Sequence, residues 1–464
     1  MSYQQVLNYL NCLSDYEKNT HYSYAQTIKL ERMQDFLTLI GNPQKFLSII
    51  HVAGTKGKGS TCAFVASILR EAGFCVGLYT SPHLNDFRER IRILLPESLR
   101  GAQATKQSQK QDCFTPAGLA MTKNRAKVFE GMIPPKALIQ IVEELKPIIN
   151  QYNVHSKYGP LSFFEVYTAL AFIYFLRQQV DFVVLETGMG GRLDATNTAH
   201  PLVSGITPIS LEHTQKLGRT LSKIAQEKAG IIKQKNLIVV SASQDKVVTK
   251  VIQNRCKKFN AKLFEVGKQI KYFKTKQSLS INGLRNKYKN LQLPLLGMHQ
   301  LANAALAVGL VEALYFYGFN ITAPAISKGI AKTIWPGRCE VIQKNPLVVL
   351  DGSQNLASAQ ILKSAIKDNF HYQRLILVLG ISLDKDLAGI CKTLNTLADE
   401  VILTCAKTAR ATSPTKLASY FKRKVYLTTS VKEAKLLARR LAGKKDLILV
   451  TGSLFVVGEF RDEK

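Results

Sequence analysis

The string His51-Val52-Ala53-Gly54-Thr55-Lys56-Gly57-Lys58-Gly59-Ser60 carries the residue types needed to hold a polyphosphate. Gly54, Gly57 and Gly59 permit positive φ and a close backbone approach to a ligand. Lys58 supplies a cation for the β/γ charge. Residues 48–54 read as a buried strand, and residues 60–73 as a helix that begins near Ser60. The backbone N–H groups and dipole of that helix then face an anion. The usual spacing of such loops is GxxxxGK[ST]. Here the loop is shortened, and Gly59 stands between Lys58 and Ser60. A glycine-rich turn that holds no nucleotide is the competing reading, but strand, turn, lysine and helix coincide here. A phosphate loop alone gives nucleotide binding; a reaction needs a metal and a second substrate. Hard oxygen donors stand at strand ends: Ser81 after VGLYT (76–80) and Glu186 after DFVVL (181–185). Ligand sites form at the carboxyl ends of parallel strands. His213 follows the next strand-like piece. Mg²⁺ prefers oxygen, so on residue type alone His213 reads as a surface or core histidine.

These residues need a scaffold, and the hydrophobic pattern describes one. Apolar strands alternate with amphipathic helices over most of the chain. After the first strand and helix come strands at 76–80, 181–188, 202–207 and 237–242, with a helix at 162–178. A second series lies at 346–352, 374–381, 400–405, 424–429 and 446–452. Alternation of this kind implies a parallel sheet with helices on both faces. The expected architecture is α/β, in two domains divided near residues 332–340. Trp335-Pro336-Gly337 divides them, because that triplet resists regular structure. The stretch 96–135 is polar, Gln/Lys/Ala-rich and bounded by prolines, and reads as a long solvated loop. Segment 267–290 is basic and reads as an edge hairpin around Asn282-Gly283. No internal repeat is evident.

A chain of 464 residues with 46% hydrophobic and 21% charged residues can bury a core without staples, which excludes disorder and fibrous repeats. Its 63 Lys+Arg against 33 Asp+Glu leave +30, a field that favours anionic partners without choosing among them. Eight cysteines occur without CxxC spacing or a neighbouring His cluster, so reduced cytoplasmic thiols are expected rather than disulfides or zinc. The first residues lack a basic segment followed by an apolar run, so no signal peptide is expected. The longest apolar stretch, Val166 to Leu176, is too short to span a bilayer.

Several strings taken together resemble the folylpolyglutamate synthase/dihydrofolate synthase family of the Mur ligase superfamily. They are HVAGTKGKGS (51–60), TSPHLNDFRERIRI (80–93), LSFFEVYTALAF (161–172), VLETGMGGRLDATN (184–197), LEHTQKLGRT (211–220) and EKAGIIK (227–233). Then follow GMHQLANAALA (297–307), WPGR (335–338), DGSQN (351–355), LDKD (383–386) and TGSLF (451–455). They span residues 51–455 in the family's order, and only the 96–135 insertion looks foreign.

The resemblance implies a P-loop ATPase domain with a parallel sheet (1–334, with a surface insertion at about 96–135) and a smaller Rossmann-like C-terminal α/β domain (338–464), together forming an ATP-dependent amide ligase of folate biosynthesis and one-carbon metabolism. Its substrates would be 7,8-dihydropteroate or a reduced folate, ATP and L-glutamate. A carboxylate repels nucleophiles and its oxygen leaves poorly; an acyl phosphate removes both obstacles, and the enzyme positions groups and stabilises charge. Carried over by position, Thr55, Lys56, Gly57, Lys58, Gly59 and Ser60 hold the ATP phosphates. Ser81, Glu186 and His213 match Mg²⁺ ligands, which reverses the bare reading of His213. Lys228 matches a lysine carbamylated in the family, whose anion can hold a second Mg²⁺. Lys58, Lys228 and His213 form the implied catalytic set. Asn303, Arg338 and Asp351 match residues that hold ATP from across the domain cleft. Arg338 suits phosphate by its fork geometry; Asp351 would accept from ribose hydroxyls or orient its neighbours. The pterin side is implied at Ala25, Gln26, Thr27, Ile28, Ser162, Asp194 and Ala195, and the glutamate side at Gln354 and Ser453. Phe163 and Phe164 could stack on a pterin, although their helical spacing suits core packing better. His83, Arg88 and Arg90 are expected near the pteroate carboxylate or as ordinary surface charge.

Three positions depart from the family's strings. Lys56 stands where Asn is usual, and Glu212 where Asp is usual. Gln354 replaces a histidine associated with the incoming glutamate. Two other readings compete. Another Mur-type ligase explains the phosphate loop and His213 but not SPHL…RERIRI or LDATN. A nucleic-acid-binding P-loop ATPase explains the charge but predicts aromatic–basic motif sets that are absent. No specific nucleic acid, no membrane and a monomer are the expected associations.

Overall fold

The computed structural model describes residues 1–16, 22, 24–98, 129–274 and 279–462. Most of the polar stretch expected as an insertion, residues 99–128, lies outside the described residues. The described residues form three sheets, with strands β1 (Ile49–Ala53), β2 (Val76–Tyr79), β3 (Ile91–Leu94), β4 (Phe182–Glu186), β5 (Val203–Ile206), β6 (Ile238–Ser241), β7 (Lys262–Glu265), β8 (Lys271–Lys274), β9 (Leu279–Asn282), β10 (Lys287–Leu291), β11 (Glu340–Lys344), β12 (Leu347–Leu350), β13 (Leu375–Leu379), β14 (Glu400–Leu403), β15 (Tyr426–Leu427) and β16 (Leu447–Thr451).

The chain divides into two compact units. The first comprises Met1–His83, Phe87–Pro294 and Leu301–Thr333; the second comprises Leu84–Asp86, Leu295–Gln300 and Ile334–Lys464. Two short segments that a division by sequence alone would give to the first unit therefore group with the second.

The first unit is built on a seven-stranded sheet in the order β3-β2-β4-β1-β5-β6-β7. Its pairings are parallel except β2–β3, so the expected parallel sheet carries one antiparallel edge. The central strands β1 and β4 are buried along their whole length, as strands covered on both faces must be. One face holds Ile49, Val183 and Leu185 against the helices Leu30–Leu39 and Phe163–Arg177. Further along the same face, Ile206 and Val239 pack with Ile224 and Ile252 of the helices Leu221–Ala229 and Lys246–Lys258. The opposite face is covered by the helix Lys58–Glu71 and by Met298–Ala313, whose Leu310 lies over Gly205. Residues 298–317 are long and apolar enough to cross a membrane by length and composition, but most of that stretch is buried in protein. The basic segment at 267–290 forms a separate antiparallel sheet, β10-β9-β8, with the β9–β10 turn at residues 283–286.

The second unit holds a six-stranded sheet in the order β11-β12-β16-β13-β14-β15. It is parallel apart from β11. Val349, Leu377, Val401 and Leu449 build its core with Leu362 and Ile390. All seven described cysteines are free thiols.

Candidate active site

The phosphate loop leaves β1 at Ala53 and turns into the helix Lys58–Glu71, which starts two residues earlier than the sequence pattern suggested. Gly57 makes the turn with φ 85°, a conformation that disfavours a side chain. No side chain caps the helix, whose backbone ladder opens with Thr61 N–H donating to Gly57 O at 2.9 Å. The first-turn amides of Lys58, Gly59 and Ser60 are thus oriented as anion donors. Thr55 and Lys56 are used differently. Both backbone N–H groups donate to Pro208 O, at 3.1 and 3.2 Å. Thr55 Oγ1 donates to Ser210 O (3.3 Å) and accepts from Ser210 N (3.1 Å). Lys56 Nζ donates to Glu212 Oε1 at 2.7 Å.

Asn303 sits against the loop: a Cβ on Gly57 would lie 2.3 Å from its Oδ1. Asn303 lies on the helix Met298–Ala313 and belongs to the first unit, with the phosphate loop. This corrects the expectation that it reaches the nucleotide from across a domain cleft. The first unit resumes at Leu301, within this helix, and runs to Thr333.

Behind the loop, Lys228 is buried near the end of the helix Leu221–Ala229, and its Nζ donates to Gly54 O at 2.6 Å. Burial, with the Lys58 and Lys56 cations, lowers its pKa to about 7, against the opposing pull of Glu212 and Asp194. An amine of that pKa is substantially neutral near pH 7. Glu212 responds in the opposite sense. Burial raises its carboxyl, but Lys56, and after it His213 and Lys58, outweigh burial and hold it below the usual carboxylate range. These mutual influences bring Lys56, Lys58, Glu212, His213 and Lys228 into one electrostatic cluster. His213 is exposed, adopts a left-handed conformation (φ 52°, ψ 37°) and leads into the short helix Thr214–Leu217.

Ser81 and Glu186 meet where the sequence expects, at the carboxyl ends of β2 and β4. The Ser81 N–H donates to Glu186 Oε2 at 3.2 Å, and Glu186 is buried. A hydroxyl and a buried carboxylate are hard donors suited to Mg²⁺. Among the described residues, no three His, Cys, Asp or Glu side chains form a metal cage.

The pterin-side residues divide by what they touch. Asp194 is buried; its Oδ2 accepts from Met189 N (2.9 Å) and its Oδ1 from Thr196 N (3.1 Å). Burial raises its pKa against these hydrogen bonds. Thr196 Oγ1 contacts His51 Nε2 at 2.9 Å, and burial, with Lys233, lowers the His51 pKa to about 3, so that ring is neutral. Ala195 is buried beside Asp194. Ser162 caps the helix Phe163–Arg177: its oxygen accepts from Glu165 N (3.3 Å) and donates to Glu165 Oε2 (2.6 Å). Glu165 is held in turn by Arg32 Nε at 2.8 Å. Ala25, Gln26 and Thr27 lie on the short helix Tyr24–Thr27, and Ile28 N–H donates to Tyr24 O (3.0 Å). Gln26 is exposed, while Thr27 and Ile28 are half-buried. The sequence reading passed over Tyr24. Its buried hydroxyl has no hydrogen-bond partner, lies 2.6 Å from where a Cβ on Gly190 would be, and senses the charge of Asp194. A lone tyrosine before a polar turn gives no sequence signal. Phe163 is buried in the core, and Phe164 rests near Tyr79. Arg90 is also buried, donating from Nε to His83 Nδ1 (2.9 Å) and lying over the Phe163 ring; Arg88 lies over Tyr3.

In the second unit, Asp351 ends β12, and its oxygens accept from Cys339 N and Ser353 N, each at 2.9 Å. Arg338 lies beside Gly352, and its Nη1 would be 2.6 Å from a Cβ there. His299 was not singled out from sequence, yet it senses both Asp351 and Arg338, and its buried Nδ1 has no partner. Gln354 precedes Asn355, which caps the helix Leu356–Asn369. Ser453 accepts from Phe455 N at 3.2 Å ahead of the helix Leu454–Asp462.

Residues 141–311 match the Mur ligase middle domain, and residues 337–454 match the Mur ligase glutamate ligase domain. The chain is 32% identical over 449 residues to the dihydrofolate synthase/folylpolyglutamate synthase of Bacillus subtilis (strain 168), covering 93% of this chain and 94% of that one. Among solved structures it resembles Mycobacterium tuberculosis folylpolyglutamate synthase complexed with ADP, at a TM-score of 0.83 and 29% identity over 99% of this chain and 97% of that one. It also resembles E. coli FolC in complex with DHPP and ADP, at a TM-score of 0.80 and 28% identity over 100% and 97%. With its ordered motifs and two α/β units, the chain belongs to the folylpolyglutamate synthase/dihydrofolate synthase family of the Mur ligase superfamily.

Proposed function

We propose that this chain joins L-glutamate to 7,8-dihydropteroate, and extends reduced folates in the same way, as an ATP-dependent amide ligase. The observation that carries the reading is the cluster at the phosphate loop: uncapped first-turn amides, Lys58, and a buried Lys228 brought to about pKa 7 beside them. Relatives that share most of the chain's length bear the names of both activities.

The substrate carboxylate attacks the γ-phosphorus of ATP and ADP leaves. The amine of glutamate then attacks the acyl carbon, phosphate leaves with the C–O electron pair, and the amine loses a proton. The amides of Lys58, Gly59 and Ser60 and the Lys58 ammonium hold the transferring phosphate's charge. Ser81 and Glu186 suit Mg²⁺ as hard oxygen donors and, with His213 matched by the resemblance, would hold it. Bound there, the cation would neutralise phosphate charge. The neutral Lys228 amine can add to CO₂ and lose a proton, giving a carbamate anion. Tyr24 and Asp194 offer polar groups to a pterin edge. In the second unit, Arg338 is assigned to phosphate, Asp351 and His299 to shaping that surface, and Gln354 and Ser453 to the glutamate side. A reduced, cytoplasmic monomer suits this reading.

Phosphate release with ATP, Mg²⁺ and L-glutamate tests it, comparing 7,8-dihydropteroate, tetrahydrofolate and no pterin. Release with both pterins is the expected result. Release with dihydropteroate alone would restrict the activity to dihydrofolate synthesis. Release with neither would overturn the substrate reading and leave only a nucleotide site.

A further inference from the structure

Five hydrogen bonds tie the phosphate loop to the segment that follows β5, all within the first unit. Thr55 and Lys56 donate their backbone N–H groups to Pro208 O, and Thr55 exchanges hydrogen bonds with Ser210. Lys56 Nζ then reaches Glu212 Oε1 at 2.7 Å. The tied segment ends at His213, whose left-handed backbone has little freedom to adjust. The two side chains meet across 156 residues of sequence, so the contact closes one loop onto the other.

We propose that Lys56 and Glu212 form a positioning pair, an ion pair that fastens the phosphate loop to the His213 segment, and that Lys56 is not a phosphate ligand. The inference rests on reading this site as a nucleotide site. Its physical basis is geometric rather than energetic. Both side chains are partly exposed, at 32% and 23%, so the pair adds little to global stability. What it fixes is the distance between two loops that must act on one nucleotide. It also adds the nearest cation to the influence of His213 and Lys58 on the Glu212 carboxylate.

The two roles for Lys56 predict different mutant patterns. If Lys56 were a phosphate ligand, Lys56→Asn would weaken nucleotide binding whatever occupies position 212. If it is a positioning residue, the loss depends on its partner. Lys56→Asn removes the largest cationic influence on Glu212 and leaves its long carboxylate at the phosphate loop, and shortening Glu212 at the same time draws that charge back.

The experiment measures ADP affinity by calorimetry, with and without Mg²⁺, alongside kcat and KM for ATP. It uses the full chain and the variants Lys56→Asn, Glu212→Asp and Lys56→Asn/Glu212→Asp. Thermal midpoints recorded in parallel show that each variant is folded. The expected result is a loss of about tenfold in ADP affinity for Lys56→Asn and recovery to within about threefold of the parent in the double variant, a coupling typical of contacting residues. Equal losses in the single and double variants would overturn the proposal and return Lys56 to the phosphate. Failure of the parent chain to bind ADP would instead sink the nucleotide-site reading, and the proposal with it.

Discussion

Lys228 sets the residue-scale chemistry of the first unit. Its ammonium is buried with two other lysines nearby, so the folded chain holds it with a pKa of about 7 against an ordinary 10.5. Between those values the unfolded chain binds the extra proton, so stability attributable to Lys228 rises with pH through that window. The cost of burying it is complete below about pH 7 and gone above its ordinary value. Lys228→Met is therefore expected to stabilise the protein near neutrality, by an amount that shrinks toward pH 10, while ligase activity falls by at least about a hundredfold. Urea midpoints at neutral and alkaline pH, with turnover at each, check this. A variant less stable than the parent at pH 7 would mean that the hydrogen bond to Gly54 O outweighs the buried charge. The same amine should make activity respond to bicarbonate above about pH 7, where it is neutral, and progressively less below. A bicarbonate response that does not change with pH would remove Lys228 from that role.

At the scale of elements, Ser162 shows how a matched position can have a structural job. Its hydroxyl caps the helix Phe163–Arg177 and shares Glu165 with Arg32. Ser162→Ala should cost about 1 kcal/mol, as loss of such a cap does, and Ser162→Thr should restore most of it. Chemical denaturation of the three proteins measures this. An unchanged midpoint with a raised KM for dihydropteroate would assign Ser162 to substrate instead. The strands around such sites were legible, because strands buried on both faces read as continuous apolar runs between glycines and polar turns. β3 was harder to read: Ile91-Arg92-Ile93 follows an arginine-rich turn, and nothing in its composition marks it as antiparallel. The basic segment around Asn282 announced a turn but not that its strands leave the main sheet. Ser81, Glu186 and the phosphate loop were legible because each sits at a strand end, where topology fixes position. The Lys56–Glu212 pair and the unpartnered Tyr24 hydroxyl were not, since both depend on contacts between segments far apart in sequence.

For the whole molecule, the open quantity is the +30 charge. Many of its carboxylates are already engaged. Glu71 is buried between Lys328 (3.0 Å) and Lys332 (3.3 Å), and Glu97 pairs with the same two lysines. Glu165, Glu212, Glu227 and Asp446 likewise each hold a cation. These acidic groups neutralise neighbouring cations, and the remaining excess of lysine and arginine is taken as a diffuse field. A diffuse field attracts any polyanion weakly and is screened within about 8 Å at physiological ionic strength. A built nucleic-acid site would add stacking and directed contacts that persist at higher salt. The expectation is therefore that single-stranded DNA binds at low salt, without sequence preference, and is released by roughly 0.2 M salt. ATP-dependent turnover should change far less over the same range if, as proposed, short-range amides and a lysine hold the phosphate. Fluorescence anisotropy against salt, with phosphate release measured in the same buffers, separates the two. DNA binding that survives about 0.5 M salt would require a dedicated nucleic-acid surface. Turnover that collapses in parallel with DNA binding would mean that the overall field, rather than the phosphate loop, governs nucleotide capture.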